Sequence, residues 1–185
     1  MGNKDKRIEL ENKRRFYKKQ RSLGLCLECT NPITEGHSRC AKCLVRRLEY
    51  NRRKKEEAAQ KGLCLACLSQ PALANSRICE TCYFKSTAGK HLGTMKEWRQ
   101  LKDKFEAQKG RCALSGFPMT LGVNAELDHI IPTAKGGSQD IANTQWVLRV
   151  VNRMKRDLPE SEFFTLIEAL YKHMKHRVQV EFESN

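Results

Sequence analysis

The chain has 185 residues, of which 30% are charged and 39% hydrophobic, and its formal net charge is +14. That balance is too polar for one large core, so one ordinary domain or several small ones are expected. No run approaches the roughly 18 apolar residues of a membrane-spanning helix, so none is expected. The opening MGNKDKRIEL has no apolar segment of a secretory signal, and Lys6 stands where a myristoylation site has Ser or Thr. A reducing, cytoplasmic setting is therefore expected.

The charge is uneven. Residues 1–110 carry 26 Lys and Arg against 12 Asp and Glu, a net of +14, whereas residues 111–185 carry 9 of each. A basic arm beside a neutral unit is an arrangement that binds a polyanion through phosphate contacts and counterion release. Residues 1–22 read as a basic helix in which Ile8, Leu10, Phe16 and Tyr17 are too sparse for a core face. Arg14 and Arg15 on it are candidate nucleic-acid contacts.

Eight of nine cysteines form four C-x-x-C pairs. Cys26, Cys29, Cys40 and Cys43 follow the pattern C-x2-C-x10-C-x2-C, and Cys64, Cys67, Cys79 and Cys82 follow C-x2-C-x11-C-x2-C. Two thiolates two residues apart can grip one ion from a tight turn, and two such turns complete a tetrahedral zinc site. Disulfides do not suit a reducing compartment, and no βαβ pattern supports a redox C-x-x-C. Two structural Zn²⁺ are therefore expected. Ionised four-thiolate sites would lower the real charge to about +10, still strongly basic.

The two segments are an internal repeat offset by 38 residues, GLCLECTNPITEGHSRCAKCL and GLCLACLSQPALANSRICETCY. Module 1 with its linking helix spans 23–61, and Arg46, Arg47, Arg52 and Arg53 on that helix are further candidate contacts to nucleic acid. Module 2 spans 62–94 and ends in KSTAGKHLGT, small and polar enough to read as a linker. Thr94 can cap a helix over Met95–Gln108, stopped at Gly110. WRQLKDKFEAQKGRCALSG then repeats the approach to a third C-x-x pair, with Ser115 in place of the second Cys.

Residues 111–126 read as a first strand and loop, 127–131 as a second strand, and Asn143–Arg156 as a helix. Pro159 starts another helix to about His176, with Phe163, Phe164, Ile167, Leu170, Tyr171 and Met174 as a packing stripe. Val178, Val180 and Phe182 alternate, so Arg177–Glu183 reads as a terminal strand.

The chemistry concentrates in ELDHIIPTAKGGSQDIANTQWVLRVVNRMK, residues 126–155. Asp128-His129 leads into a loop broken by Pro132 and Gly136-Gly137. Asn143 lies 14 residues after His129 and Asn152 lies 23 after. An imidazole is suited to taking a proton near neutral pH, and a carboxylate with an amide oxygen suits Mg²⁺. Asp128 and His129 point to opposite faces of an ideal strand, so both reach one site only where the strand ends.

Over about residues 110–158 this pattern resembles the HNH nucleases, with Asn152 in the family's last position, a variant that family also contains. The resemblance implies an α+β, small multi-module protein: two four-cysteine zinc modules linked by basic helices, then an HNH domain over 95–185 with a ββα-metal fold. It implies His129 as general base, Asn143 as the residue that holds the loop and orients the base, and Asp128 and Asn152 as ligands of one catalytic Mg²⁺ or Mn²⁺. Lys155, one helical turn beyond Asn152, and Arg153 are expected at phosphates. Many HNH domains carry a structural zinc whose ligand positions here hold Cys112, Ser115, Leu148 and Val151. That zinc is expected to be replaced by packing, with Cys112 buried.

The implied function is a metal-dependent DNA endonuclease acting on double-stranded DNA in a bacterial or phage-infected cell. Its architecture resembles that of phage-borne stand-alone homing endonucleases. One chain holds one such site, so each visit nicks one strand. A structure-specific nuclease and a non-catalytic zinc protein that binds DNA are the alternatives.

Overall fold

Helix-forming residues dominate the chain, and the structure follows them: six α-helices and one two-stranded antiparallel sheet among the described residues. The computed structural model describes the backbone of residues 3–183 and the side chains of residues 7–175. The chain divides after Gln60 into two compact units, each containing one four-cysteine group. No described helix is long and apolar enough to cross a membrane.

The first unit holds α1 (Asn3–Ser22), the first cysteine turns and α2 (Ala41–Gln60). Helix α1 leaves Ile8, Leu10, Phe16 and Tyr17 exposed, as their sparse spacing predicts. Its side chains meet in exposed i, i+4 pairs such as Lys13–Glu9 and Arg15–Glu11, which solvent screens.

The second unit holds α3 (Glu80–His91), α4 (Trp98–Ala107), β1 (Ala125–His129), β2 (Thr144–Leu148), α5 (Arg149–Lys155) and α6 (Glu160–Glu183). Strand β1 pairs antiparallel with β2, matching Leu127 to Trp146, Asp128 to Gln145 and His129 to Thr144. Phe84, Ala88 and Leu92, at i, i+4 and i+8, bury one face of α3 against Leu101, Leu127, Trp146 and Val147. The Tyr83 hydroxyl donates to the Ala125 carbonyl at 2.8 Å.

Trp146 is the centre of that core. Its ring meets Phe84 and Phe105 edge-to-face at 5.7 and 5.5 Å between centroids. Its indole N–H donates to the Leu101 carbonyl at 2.9 Å. Its own peptide groups bond both ends of the Gln108 amide, each at 2.9 Å. Two rings, an amide and a carbonyl thus tie β2 to α3 and α4.

Several sequence expectations are corrected. The linker over 85–94 is mostly helix α3, because its small residues let the helix pack closely. A Cβ on Gly89 would stand 3.2 Å from Met95 Cγ. Phe84, Ala88 and Leu92 of module 2 share one core with later residues. The helix expected over Met95–Gln108 starts at Trp98, and Thr94 instead accepts the Lys96 N–H at 3.2 Å. The expected first strand over 111–126 is a short turn with an isolated Arg111–Pro118 bridge, the form also seen at Leu25–Pro32 and Leu63–Pro71. The strand β2 comes instead from the start of the expected Asn143–Arg156 helix, where Thr, Trp and Val favour extended backbone.

The terminal strand is also absent. Helix α6 runs on to Glu183, since no Gly or Pro interrupts it. Its expected packing stripe buries only Phe163, while Phe164, Leu170, Tyr171 and Met174 stay exposed. Cys112 is buried, with Leu148 and Val151 packed on its cluster and the Leu148 N–H 3.3 Å from its sulfur.

Replacing Trp146 by Ala removes three ring contacts, with Tyr83, Phe84 and Phe105, and the indole bond to the Leu101 carbonyl. The second unit should lose about 3–5 kcal/mol, measured by denaturant unfolding.

Candidate metal centres and the His129 site

Each four-cysteine group is built from two tight turns, the second of which opens a helix. Asn31 O accepts the Cys26 N–H at 2.9 Å and Gln70 O accepts the Cys64 N–H at 2.8 Å, shaping the first turns alike. Cys43 lies in the first turn of α2, and Cys79 and Cys82 bracket the start of α3. In each group the four sulfurs lie within 4.8 Å of one another. The Cys29–Cys40, Cys29–Cys43 and Cys67–Cys79 separations are 3.5, 3.6 and 3.8 Å. A tetrahedral zinc with bonds of about 2.3 Å sets its sulfurs about 3.8 Å apart. Both groups can hold a zinc ion.

The electrostatics agree. Ser69, through its side chain and backbone, and the Gln70 amide pull the Cys67 thiol down to about 5. Burial and the neighbouring cysteines push Cys43 and Cys82 up to about 12. Four thiols this close do not all ionise unaided, and a cation at their centre relieves the conflict. Glu28 accepts from Arg39 and Arg46 at 2.7 and 2.9 Å beside the first group, which holds its carboxyl below the usual range.

The second site is built on β1. That strand ends at His129, so the carboxylate of residue 128 and the imidazole of residue 129 sit at a strand terminus. The segment from Ile130 returns to β2 through two 3-10 turns, Thr133–Lys135 and Ile141–Asn143. Asn143 closes this loop. Its amide nitrogen donates to the Ile131 and Ser138 carbonyls at 2.9 and 2.8 Å, and its oxygen accepts the Ile131 N–H at 2.9 Å. Gly136 adopts φ +84°, and a Cβ on Gly137 would lie 1.9 Å from the Ile131 carbonyl oxygen. Only glycine fits at 137.

Helix α5 lies against the same sheet. Arg149, Asn152 and Lys155 recur every third residue and so share a face. Arg149 Nε and Asn152 Nδ2 reach the Glu126 carboxylate at 2.8 and 3.1 Å. Lys155 Nζ lies 3.1 Å from Asp128 Oδ2 and donates to the His129 carbonyl at 3.1 Å. Gln145 Nε2 adds contacts to Asp128 and Glu160 at 3.3 and 3.2 Å.

Two expectations change here. Lys155 is completely buried and neutralises Asp128, so it does not face phosphate. Three residues fix the side of α5, but only the tertiary pairing fixes whether that side meets solvent. Asn152 meets Glu126 and not Asp128, because residues 126 and 128 share one face of the strand and the shorter reach goes to 126. Arg153 is exposed, as are Arg14, Arg15, Arg46, Arg47, Arg52 and Arg53. Of these, Arg47 and Arg53 flank the Tyr50 ring at 5.6 and 5.9 Å.

Nε2 of His129 is buried with no hydrogen-bond partner. The His129 ring lies 5.7 Å from that of His91 at the end of α3. Burial, with the charges of Lys90 and His129, pulls the His91 imidazole down to about 4, so it is neutral near pH 7. His91, Glu126 and Asn152 line one cavity of about 210 Å³. Sequence reasoning missed Glu126, Gln145 and His91. The i, i+2 spacing of Glu126 and Asp128 was the available signal for the first, and His91 had none.

Two oxygen-bearing side chains, Glu126 and Asn152, line this cavity. They adjoin each other, and Asp128, two residues along β1 on the same face, is buried against Lys155. Among the described residues, only the cysteine groups bring three or more Cys, His, Asp or Glu ligand atoms within 4.8 Å. No family model matches the chain, and no curated protein is significantly similar to it.

Elemental analysis should find two zinc ions per chain, falling to one in Cys26→Ser or Cys64→Ser. A count of three would place metal at Cys112 as well. Lys155→Met leaves a buried carboxylate unpaired and should cost about 3–5 kcal/mol in denaturant unfolding, partly restored by adding Asp128→Leu.

Proposed function

We propose that the chain is a metal-dependent DNA endonuclease of the HNH type, which hydrolyses one phosphodiester per site and holds DNA with its basic helices. The observation that carries the reading is the loop clasp. Asn143 bonds both ends of the turn that follows His129, while the His129 ring, with its buried Nε2 unpaired, packs on His91, which lines a cavity with Glu126 and Asn152. A residue that only filled space would not hold a loop by three bonds next to an unsatisfied imidazole.

His129 is the base. Its unpaired Nε2 is the atom that would take a proton from the attacking water. Asn143 keeps the loop closed, so the ring stays where β1 ends. Glu126, Asp128 and Asn152 are the oxygen donors that would hold the divalent ion. That ion, when bound, neutralises charge on the scissile phosphate and on the 3′ leaving oxygen. The exposed arginines of α1 and α2 supply affinity through phosphates. Homing-like site specificity is part of the proposal, and branched DNA is the alternative substrate.

One observation favours a second reading. The buried Lys155 already neutralises Asp128, as in a site that has no need of a cation. The chain would then be a zinc-containing protein that binds DNA without cutting it.

His129→Ala decides between them. With Mg²⁺ present, its nicking rate should fall by about 10²–10⁴-fold while the Kd for duplex DNA is unchanged. Tight binding by the wild-type chain without any nicking would support the second reading. Comparing a linear duplex with a branched one separates site-specific from structure-specific cutting.

A further inference from the structure

Helix α3 begins on a four-cysteine group and ends against His129. Cys79 caps its N-terminus and Cys82 lies in its first turn. Phe84, Ala88 and Leu92 hold its inner face in the core. Its other side lines the cavity opposite Glu126 and Asn152 with Ser86, Thr87, Lys90 and His91. The centroids of the His91 and His129 rings are 5.7 Å apart and their planes are inclined by 37°.

His129 Nε2 has no hydrogen-bond partner. No bond at that atom fixes how the ring turns, so packing must restrain it. The ring that packs on it comes from α3. We infer that His91 is a positioning residue for His129, held in place by the helix that the second four-cysteine group starts. This rests on the nuclease reading for its effect on rate, but not for the ring contact itself. The second four-cysteine group then belongs to the catalytic unit, as part of one wall of the site.

The role is one of shape. His91 packs on the base through its ring, so a flat ring of similar size should replace it. A misplacement of the base by about 1 Å lowers rate about 10²-fold, while affinity for DNA depends on other groups.

The test compares His91→Ala and His91→Phe with wild type. Each is checked for two zinc ions and an unchanged melting temperature. The NMR signals of the His129 ring are recorded without DNA, and nicking of duplex DNA with Mg²⁺ gives kcat and KM. The inference expects the His129 signals to move in His91→Ala, kcat to fall about 10- to 10²-fold and KM to hold, with His91→Phe recovering most of kcat. Wild-type kcat and unmoved His129 signals in His91→Ala would overturn it and leave the nuclease reading intact. A fall in KM-derived affinity equal to the fall in kcat would also overturn it, as would a His91→Phe no better than His91→Ala. If wild type does not nick, the nuclease reading fails, and the ring signals alone decide: moved signals uphold the contact and unmoved signals overturn it. If His91→Ala does not fold, His91→Gln replaces it, with the same outcomes.

Discussion

Trp146 is the constraint on which the second unit depends. Its indole N–H is held by Leu101, its backbone by Gln108, and its ring by Phe84 and Phe105. Those contacts fix β2 in one register against α3 and α4. A slip of one residue would turn every side chain of the strand to the other face. Because β1 pairs with β2, the register of Trp146 sets the positions of Asp128 and His129 three and four residues from the start of β1. Lys104 reinforces the arrangement by donating to the Ile141 and Thr144 carbonyls where β2 begins.

Charge is handled differently at three depths. On α1 and α2 it is exposed and mostly basic, suited to a polyanion and screened by salt. At the cysteine groups it is concentrated in thiols that resist joint ionisation, a conflict that a divalent ion at their centre would relieve. Under the sheet it is buried and paired: Asp128 with Lys155, and Glu126 with Arg149 at a half-open edge. The buried pair holds α5 on β1 by a charge-assisted contact in low dielectric, where removing one partner costs more than the pair contributes. In the proposed enzyme that pair also sets how readily Asp128 turns to an ion.

Sequence and structure agree most where a residue's role depends on near neighbours. The cysteine turns were legible because C-x-x-C spacing is itself the geometry of the turn. The Pro132–Gly137 loop is legible because Pro and paired Gly break regular elements, and the structure adds that any Cβ at 137 would strike the Ile131 carbonyl. Asn143 was legible only through resemblance, since nothing local tells that its amide will span Ile131 and Ser138. The rest turned on distant partners. Residues 85–94 looked like a linker because small residues serve equally well in loops and in close-packed helices. Residues 144–148 were read as helix because Val150, Val151 and Met154 extend an apolar run past the true strand. Lys155 was placed on the correct side of α5, but its burial depends on Asp128, 27 positions away.

The central claim is that His129, two carboxylates and the Asn152 amide surround one hydrated cation. Mn²⁺ titration of the zinc-loaded protein tests it most directly, with NMR line broadening as the readout. The account predicts that the His129 ring and Asn152 side-chain signals broaden first and together, at substoichiometric Mn²⁺. Signals of both residues that stay sharp while others broaden would contradict it.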